Sequence, residues 1–186
     1  MGIGIDFDGT IADTNAVKSR WIERVLGRCI PPYLCDRTSC VPIIGREAYD
    51  KMASEVYDEE HTRRLQPIED SLRVIQQLAE GRDLVVVTAR GPNRLEYARQ
   101  WLSQFDATRG LAVESSGVSN ETKASICSRL NLSALVDDDE RHLVDAMETI
   151  RHAILMKQDA PVGYRSGELT VCRSWRQVAE LLAGTL

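Results

Sequence analysis

The sequence predicts an α/β fold: a five-stranded, mostly parallel sheet with helices on both faces and a small helical cap inserted after the first strand. Short apolar runs alternate with amphipathic stretches along most of the 186 residues, which is typical of β-α units. The run Leu84–Thr88 is continuous and β-branched, as expected of a central parallel strand covered on both faces. Residues 15–69 interrupt this rhythm, so we assign them to the cap and residues 1–14 and 70–186 to the core domain.

The first predicted strand covers Ile3–Phe7 and leads into a helix over Asn15–Gly27. The apolar residues of this helix recur on one face, and Gly27 is a suitable C-cap residue. Residues 28–46 are rich in proline, which breaks regular structure. A second helical stretch, over about 46–60, completes the insertion.

After the insertion, helices and strands alternate again. The first helix of this part has Asp70 as its N-cap and Gly81 at its end, with an apolar stripe between them. The strand Leu84–Thr88 follows directly. The later predicted elements are a helix at 93–105, a strand at 111–114, a helix from about 120, a strand at 132–136, a helix, a strand at 153–156 and a helix from about 175.

Acidic and hydroxyl side chains stand at the ends of three predicted strands. Asp6 and Asp8 follow the first strand, Thr88 ends the second, and Asp137 and Asp138 follow the fourth. In open parallel sheets ligands bind at the carboxyl ends of the strands. The sequence therefore predicts that these residues share one site.

The two carboxylates of Asp6 and Asp8 are one residue apart, so a strand-like backbone points both the same way. Two such groups repel each other and are costly to desolvate, which a hard cation such as Mg²⁺ would relieve. Asp, Gly and Thr are also ordinary turn residues, so a polar turn is the alternative for this segment. The apolar Phe7 between the two acids favours a metal and an oxyanion substrate.

Composition narrows the range of partners. The formal net charge is −5 and no Lys/Arg-rich run occurs, so a nucleic-acid polymer is not an expected partner. No stretch approaches 18 consecutive apolar residues and no signal-peptide pattern opens the chain, so we expect no membrane association and a cytoplasmic location. The oligomeric state is not readable.

Cysteine usage favours reduced thiols, because five cysteines is an odd number for a disulfide framework. Cys29, Cys35 and Cys40 cluster within the predicted cap, which leaves a structural zinc site as one interpretation. They lack a CxxC pair and a fourth nearby ligand. Free thiols in a packed insertion are the other interpretation.

Four segments in order resemble the motifs of the haloacid dehalogenase (HAD) superfamily of phosphohydrolases. They are the pentapeptide from Asp6 to Thr10, the strand ending at Thr88, the lone Lys123, and Val136-Asp137-Asp138. Lys123 is the only lysine between Thr88 and Asp137, so its assignment is not a choice among several. The resemblance covers nearly the whole chain and implies a Rossmann-like core that hydrolyses phosphate esters.

The resemblance also implies a role for each residue. Asp6 would be the nucleophile and Asp8 the acid and base. The Thr88 hydroxyl, the Ala89 N–H and Lys123 would hold the phosphate. Mg²⁺ would be bound by Asp6, the backbone carbonyl of Asp8 and Asp138, with Asp137 in support.

A finer resemblance is to the 5'(3')-deoxyribonucleotidase-like branch, on Thr88-Ala89-Arg90, Asp137-Asp138 and the segment 172–178. Arg90 is then a candidate contact for a substrate phosphate or carboxylate, with an arginine that caps the turn as the alternative. In the cap, Trp21, Tyr33 and Tyr49 could stack on a base, although we expect Trp21 to be core.

The sequence thus predicts a Mg²⁺-dependent phosphatase acting on a nucleotide or another small phosphorylated metabolite through an aspartyl-phosphate. One alternative is a catalytically silent module that binds a phosphorylated ligand. Another is a phosphotransferase or a phosphonatase, for which Lys18 and Lys51 are the candidate Schiff-base lysines of the cap.

Overall fold

The computed structural model describes residues 2–183 and contains a six-stranded sheet. Its order is β3-β2-β1-β4-β5-β6, and every pairing is parallel. The strands are β1 (Gly2–Ile5), β2 (Leu84–Thr88), β3 (Ala112–Ser115), β4 (Leu132–Asp137), β5 (His152–Met156) and β6 (Thr170–Cys172). The α/β class and the parallel sheet are confirmed, but the expected count of five strands is wrong. The sixth strand has three residues, too few to show a periodic pattern.

Helices connect the strands and form the insertion. They are α1 (Thr14–Leu26), α2 (Arg37–Ile44), α3 (Arg46–Val56), α4 (Glu59–Arg64), α5 (Ser71–Ala79), α6 (Pro92–Leu102), α7 (Ser116–Ser119), α8 (Lys123–Arg129), α9 (Glu140–Ala146) and α10 (Trp175–Ala183). None of these helices is long and apolar enough to cross a membrane.

The inserted segment, residues 15–69, contains more helices than the sequence predicts. Helix α2 begins at the N-cap Asp36, whose carboxylate accepts from the Ser39 N–H at 2.9 Å, and it tolerates Pro42 near its end. The expected single helix over 46–60 is two helices, because Asp58 caps a new start and accepts from the His61 N–H at 2.7 Å.

Alternating side chains of the strands build two apolar clusters, as parallel strands covered on both faces require. Val86 belongs to one cluster with Phe7, Trp101 and Trp175, and Val87 belongs to the other. A third cluster lies within the inserted segment and contains Trp21, Ile22, Ile30, Cys35, Cys40, Tyr49, Met52 and Val56. The division of the chain into a core and a cap at residues 14/15 and 69/70 stays a prediction.

The cysteines of the inserted segment differ in exposure: Cys35 and Cys40 are buried in the third cluster, and Cys29 is exposed. Trp21 lies in the same cluster, as expected.

Strand β1 lies between β2 and β4, and this order creates the site. Ile5 is paired with Val86 on one side and with Val136 on the other, so Asp6 emerges between the ends of both neighbours. The Asp6 N–H donates to the Val136 carbonyl at 2.8 Å. The chain then turns at Gly9, which has a φ of 73°.

Helix α7 makes a close backbone contact with the segment that follows β2. An alanine Cβ at Gly117 would lie 2.5 Å from the Ala89 carbonyl oxygen and 2.8 Å from that of Arg90. Neither oxygen is the flexible end of a side chain, so we expect Gly117→Ala to destabilise the protein by about 1–3 kcal/mol through overpacking. The measurement is urea denaturation, with Gly81→Ala as the control because a Cβ there meets no atom within 4 Å. Equal stability of the two variants would contradict the close approach.

Candidate active site

A cavity of about 390 Å³ opens at the carboxyl edge of the sheet, between the strand ends and the inserted segment. Its volume suits a small ligand. Most of the residues that the sequence singled out line it: Asp6, Asp8, Ala89, Arg90, Lys123, Asp137 and Asp138. Thr88 is fully buried and does not line the cavity.

Lys123 joins two of the acidic residues. The first residue of α8, it is 2% exposed, and its Nζ donates to Asp6 Oδ1 at 2.6 Å and to Asp137 Oδ2 at 2.7 Å. Burial lowers the pKa of the ammonium, but Asp137 and Asp6 outweigh this effect, and the pKa of Lys123 rises above its ordinary value. A fixed positive charge therefore lies beside Asp6.

Both oxygens of Asp137 are occupied by protein donors. Lys123 donates to Oδ2, and the Asp139 N–H donates to Oδ1 at 3.0 Å. Asp137 is thereby suited to hold Lys123 and leaves little for a metal, in line with the supporting role predicted for it.

The carboxylates of Asp6, Asp137 and Asp138 form the cluster within residues 2–183 that could hold a cation. One oxygen from each lies within 4.8 Å of the others, and all three residues are buried. Asn15 Nδ2 donates to Asp138 Oδ2 at 2.6 Å. Within residues 2–183, the other oxygen of each of these two residues, Asp6 Oδ2 and Asp138 Oδ1, receives no hydrogen bond from a protein donor. Those two oxygens fit a hard cation such as Mg²⁺.

The electrostatics of these acids also fit a cation. Burial, only partly offset by Lys123, raises the pKa of Asp6 well above its usual range. Burial raises the pKa of Asp138 to about 7, and the nearby Lys18 opposes it. Buried carboxylates crowded in this way are relieved by a positive charge placed between them.

Asp8 is held by Arg90, a contact that the sequence did not predict. Arg90 Nε donates to Asp8 Oδ2 at 2.8 Å, its second terminal nitrogen donates to Oδ1 at 2.8 Å, and the Thr14 hydroxyl donates to Oδ1 at 2.8 Å. Burial alone would raise the pKa of Asp8, but the Arg90 guanidinium, Lys18 and the Thr14 hydroxyl together outweigh it, and the pKa lies below its usual range. Arg90, 4% exposed, is neither a surface residue nor free to bind another anion in this arrangement.

The segment after β2 reaches the cavity at Ala89 but not at Thr88. Binding of phosphate by the Ala89 N–H stays a prediction. The Thr88 hydroxyl oxygen accepts from the Arg90 N–H at 3.3 Å, so in this arrangement it orders the turn. A contact of Thr88 with phosphate stays a prediction.

Helix α1 supplies Asn15, which the sequence analysis missed, and Lys18, which it named only as a candidate for a phosphonatase. Asn15 contacts Asp138, and Lys18 lines the cavity and donates from Nζ to Asn15 Oδ1 at 3.0 Å. A usable signal was their position on the first turns of the helix that follows Asp6 and Asp8. His142 also lines the cavity, and burial lowers its pKa to about 4.

The inserted segment is fastened to the strand ends next to the site. Thr38 donates to Asp139 Oδ1 at 2.5 Å, and Lys157, which follows β5, forms a buried ion pair with Asp36. Of the aromatic residues proposed to stack on a base, Tyr49 lines the cavity, whereas Tyr33 packs edge-on against Tyr164 at 5.7 Å between ring centroids.

Neither a protein-family model nor a curated relative matches the sequence. Solved structures do match. A HAD family hydrolase from Deinococcus radiodurans, with bound phosphate and sodium, aligns with a TM-score of 0.67 over 98% of this chain and 95% of its own, at 10% identity. A hydrolase from Pseudomonas syringae aligns with a TM-score of 0.64 over 100% of both chains, at 11% identity.

A putative beta-phosphoglucomutase from Thermotoga maritima aligns with a TM-score of 0.55 over 100% of this chain and 99% of its own, at 15% identity. At such identities the likeness concerns the fold. The chain therefore has the fold of HAD-type hydrolases along its whole described length.

Proposed function

We propose that this protein is a Mg²⁺-dependent phosphomonoesterase of the HAD superfamily that works through an aspartyl-phosphate on Asp6. The observation that carries the proposal is the placement of Asp6 in a cavity with a buried Lys123 on one of its oxygens and Asp8 and Asp138 in the same wall. The fold shared with HAD-type hydrolases supports it. A small phosphorylated metabolite fits a cavity of about 390 Å³.

Asp6 and Asp138, with the Asp8 backbone carbonyl, would hold the Mg²⁺. When bound, the ion neutralises charge on the phosphoryl oxygens and on the clustered carboxylates.

The chain's own residues account for the two half-reactions. An Asp6 carboxylate oxygen attacks phosphorus, and the bond from phosphorus to the ester oxygen breaks as Asp8 gives that oxygen a proton. Asp8 then takes a proton from water, whose oxygen attacks the phosphorus and releases inorganic phosphate and Asp6. Lys123 offsets negative charge at the nucleophile throughout.

Arg90 gives Asp8 its orientation for both proton transfers. The guanidinium binds both carboxylate oxygens through a planar fork, which fixes the plane of the carboxylate. The contact also stabilises the ionised form of Asp8, which is the form that takes a proton from water in the second half-reaction.

A phosphonatase is less well supported, because a Schiff base needs a neutral amine. Lys51 is exposed. Burial would lower the pKa of Lys18, but Tyr49, Tyr57 and the carboxylates of Asp138 and Asp8 raise it well above its ordinary value, so the amine stays protonated. A silent binding module is also less well supported, because binding a phosphorylated ligand does not require an oriented Asp8 carboxylate, which Arg90 provides.

Replacing the nucleophile tests the proposal directly. We expect Asp6→Asn to reduce the turnover of p-nitrophenyl phosphate with Mg²⁺ by at least about 10³-fold, since an amide cannot form the acyl phosphate. Asp13→Asn is the matched control, because Asp13 caps α1 and asparagine serves equally well as an N-cap. Phosphate release by Asp6→Asn at the rate of the control variant would refute the assignment of Asp6.

Removal of the metal is the second test. We expect EDTA to abolish turnover and added Mg²⁺ to restore it. We expect Asp138→Asn to raise the Mg²⁺ concentration that gives half-maximal activity by about 10-fold or more, because a charged oxygen ligand is lost. The readout is the Mg²⁺ concentration that gives half-maximal activity. Full activity of the metal-free protein would exclude the proposed role of the ion.

The third test concerns Arg90. If Arg90 orients Asp8 as a general acid, Arg90→Lys should slow the hydrolysis of an ester with a poor leaving group more than that of an ester with a good one. Only the poor leaving group needs a proton when its bond to phosphorus breaks. We expect kcat to fall by about 10-fold or more on an alkyl phosphate and by less on p-nitrophenyl phosphate. Arg99→Lys, an exposed site on α6, is the control. Equal losses on both esters would show that Arg90 does not act through Asp8.

A further inference from the structure

Lys18 is a buried cation that the proposed chemistry leaves unused. Its side chain is on α1, it is 2% exposed, and it lines the cavity. Its Nζ donates to the Asn15 amide oxygen at 3.0 Å and also hydrogen-bonds the Tyr57 side chain, which is neutral. Within residues 2–183 no carboxylate lies within salt-bridge distance of it. A lysine side chain is almost never fully buried without a partner of opposite charge, because desolvating the ammonium group is costly.

The two carboxylates that raise the pKa of Lys18, those of Asp138 and Asp8, are already hydrogen-bonded to other groups. Asp8 is held by Arg90 and Thr14, and Asp138 accepts from Asn15. Neither of them forms an ion pair with Lys18. Its positive charge therefore faces the cavity without a partner of its own.

Arg94 adds a second cation at the same place. It is half-buried at the start of α6 and lines the cavity, and in the described part of the chain its guanidinium has no carboxylate partner. Both cations approach the ring of Tyr57: Lys18 Nζ lies 5.4 Å and Arg94 Cζ 5.6 Å from its centroid. Tyr57 also lines the cavity. An aromatic ring holds cations in position without cancelling their charge.

This arrangement contrasts with the other basic residues of the cavity. Arg90 pairs with Asp8, Lys123 with Asp6 and Asp137, Arg37 with Asp50 at 3.3 Å, and Arg141 with Asp139 at 3.0 Å. Arg90 Cζ also lies 5.2 Å from the Tyr57 centroid, but its charge is paired with Asp8, so within residues 2–183 Lys18 and Arg94 are the cations beside this ring without such a partner. They stand in the wall formed by α1, Tyr57 and the start of α6.

We propose that Lys18 and Arg94, spaced by Tyr57, form a second anion subsite, and that the substrate is a small phosphomonoester bearing a further anionic group, a carboxylate or a second phosphoryl group. The proposal rests on the proposed phosphatase function. The reacting phosphoryl group is placed at Asp6 and Lys123, and the second anion at the Tyr57 wall. A volume of about 390 Å³ holds both ends of a short molecule but leaves little room for a bulky tail.

The test uses three esters that share a three-carbon chain: propyl phosphate, the phosphate ester of 3-hydroxypropanoate, and propane-1,3-diyl bisphosphate. We expect the wild-type protein to show a kcat/KM about 10- to 100-fold higher on an ester with an anionic tail than on propyl phosphate, as a charged hydrogen bond is worth. Comparison of the carboxylate ester with the bisphosphate identifies which anion the subsite prefers. Equal kcat/KM on all three esters would overturn the proposal.

Variants locate the effect. Lys18→Met keeps most of the length of the side chain without its charge, and Arg94→Gln removes the charge nearer the surface. Each should remove most of the preference for a charged tail, measured as the ratio of kcat/KM on a charged-tail ester to kcat/KM on propyl phosphate, by raising KM for the charged-tail ester. Arg99→Gln, an exposed site on the same helix as Arg94, should keep the preference. If Lys18→Met lowers kcat on all three esters equally, Lys18 only positions Asn15 and Asp138, and the subsite is refuted.

Calorimetric binding of the same esters to Asp6→Asn separates this proposal from the proposed function. If no ester is hydrolysed by the wild-type protein, the phosphatase proposal fails, but tighter binding of the charged-tail esters still supports the subsite. Equal binding of all three esters refutes it whether or not turnover occurs.

Discussion

Mutual repulsion among four acids at one sheet edge is the constraint on which the rest of the structure depends. Asp6, Asp8, Asp137 and Asp138 are brought together by the ends of only two adjacent strands, β1 and β4. Isolated carboxylates in a buried site would protonate or unfold the edge. Each acid here has its own compensating group: Lys123 for Asp6 and Asp137, Arg90 for Asp8, and Asn15 for Asp138. The raised pKa values of Asp6 and Asp138 show that this compensation is incomplete, which is the condition for a site that accepts a cation.

The same constraint explains the close backbone packing at the edge. A Cβ on Gly9 would lie 2.3 Å from Asp138 Oδ2 and 2.4 Å from Asn15 Nδ2, so the turn after Asp8 passes directly against a carboxylate and its donor. Because Gly9 also has a positive φ, both its backbone conformation and the space around it exclude a side chain. Asp138 can lie this close to the turn after Asp8 only because residue 9 has no side chain.

The sequence predicted the features that depend on local order. Asp6 and Asp8 line the same cavity, although the first strand ends at Ile5 and not at Phe7 as predicted. The strand Leu84–Thr88 was located to the residue, and ordered motifs singled out Lys123. It could not predict contacts that depend on how distant elements pack. Arg90 reaches Asp8 across 82 positions and Asn15 reaches Asp138 across 123, so no spacing rule connects them.

The inserted segment was the part of the structure that the sequence predicted least well, and helical periodicity shows why. It indicates which face of α1 is apolar, and Trp21 and Ile22 on that face do enter the third cluster. Lys18 breaks the pattern: a lysine on this helix reads as solvated, yet it is buried because the segment is fastened over the strand ends through Thr38 with Asp139 and Asp36 with Lys157. Asp139 directly follows Asp138, so the wall that carries Lys18 and the edge that carries the acids are held at a fixed separation. The spacing between the two proposed anion-binding points is thus set by tertiary contacts between distant elements and not by any motif in the sequence.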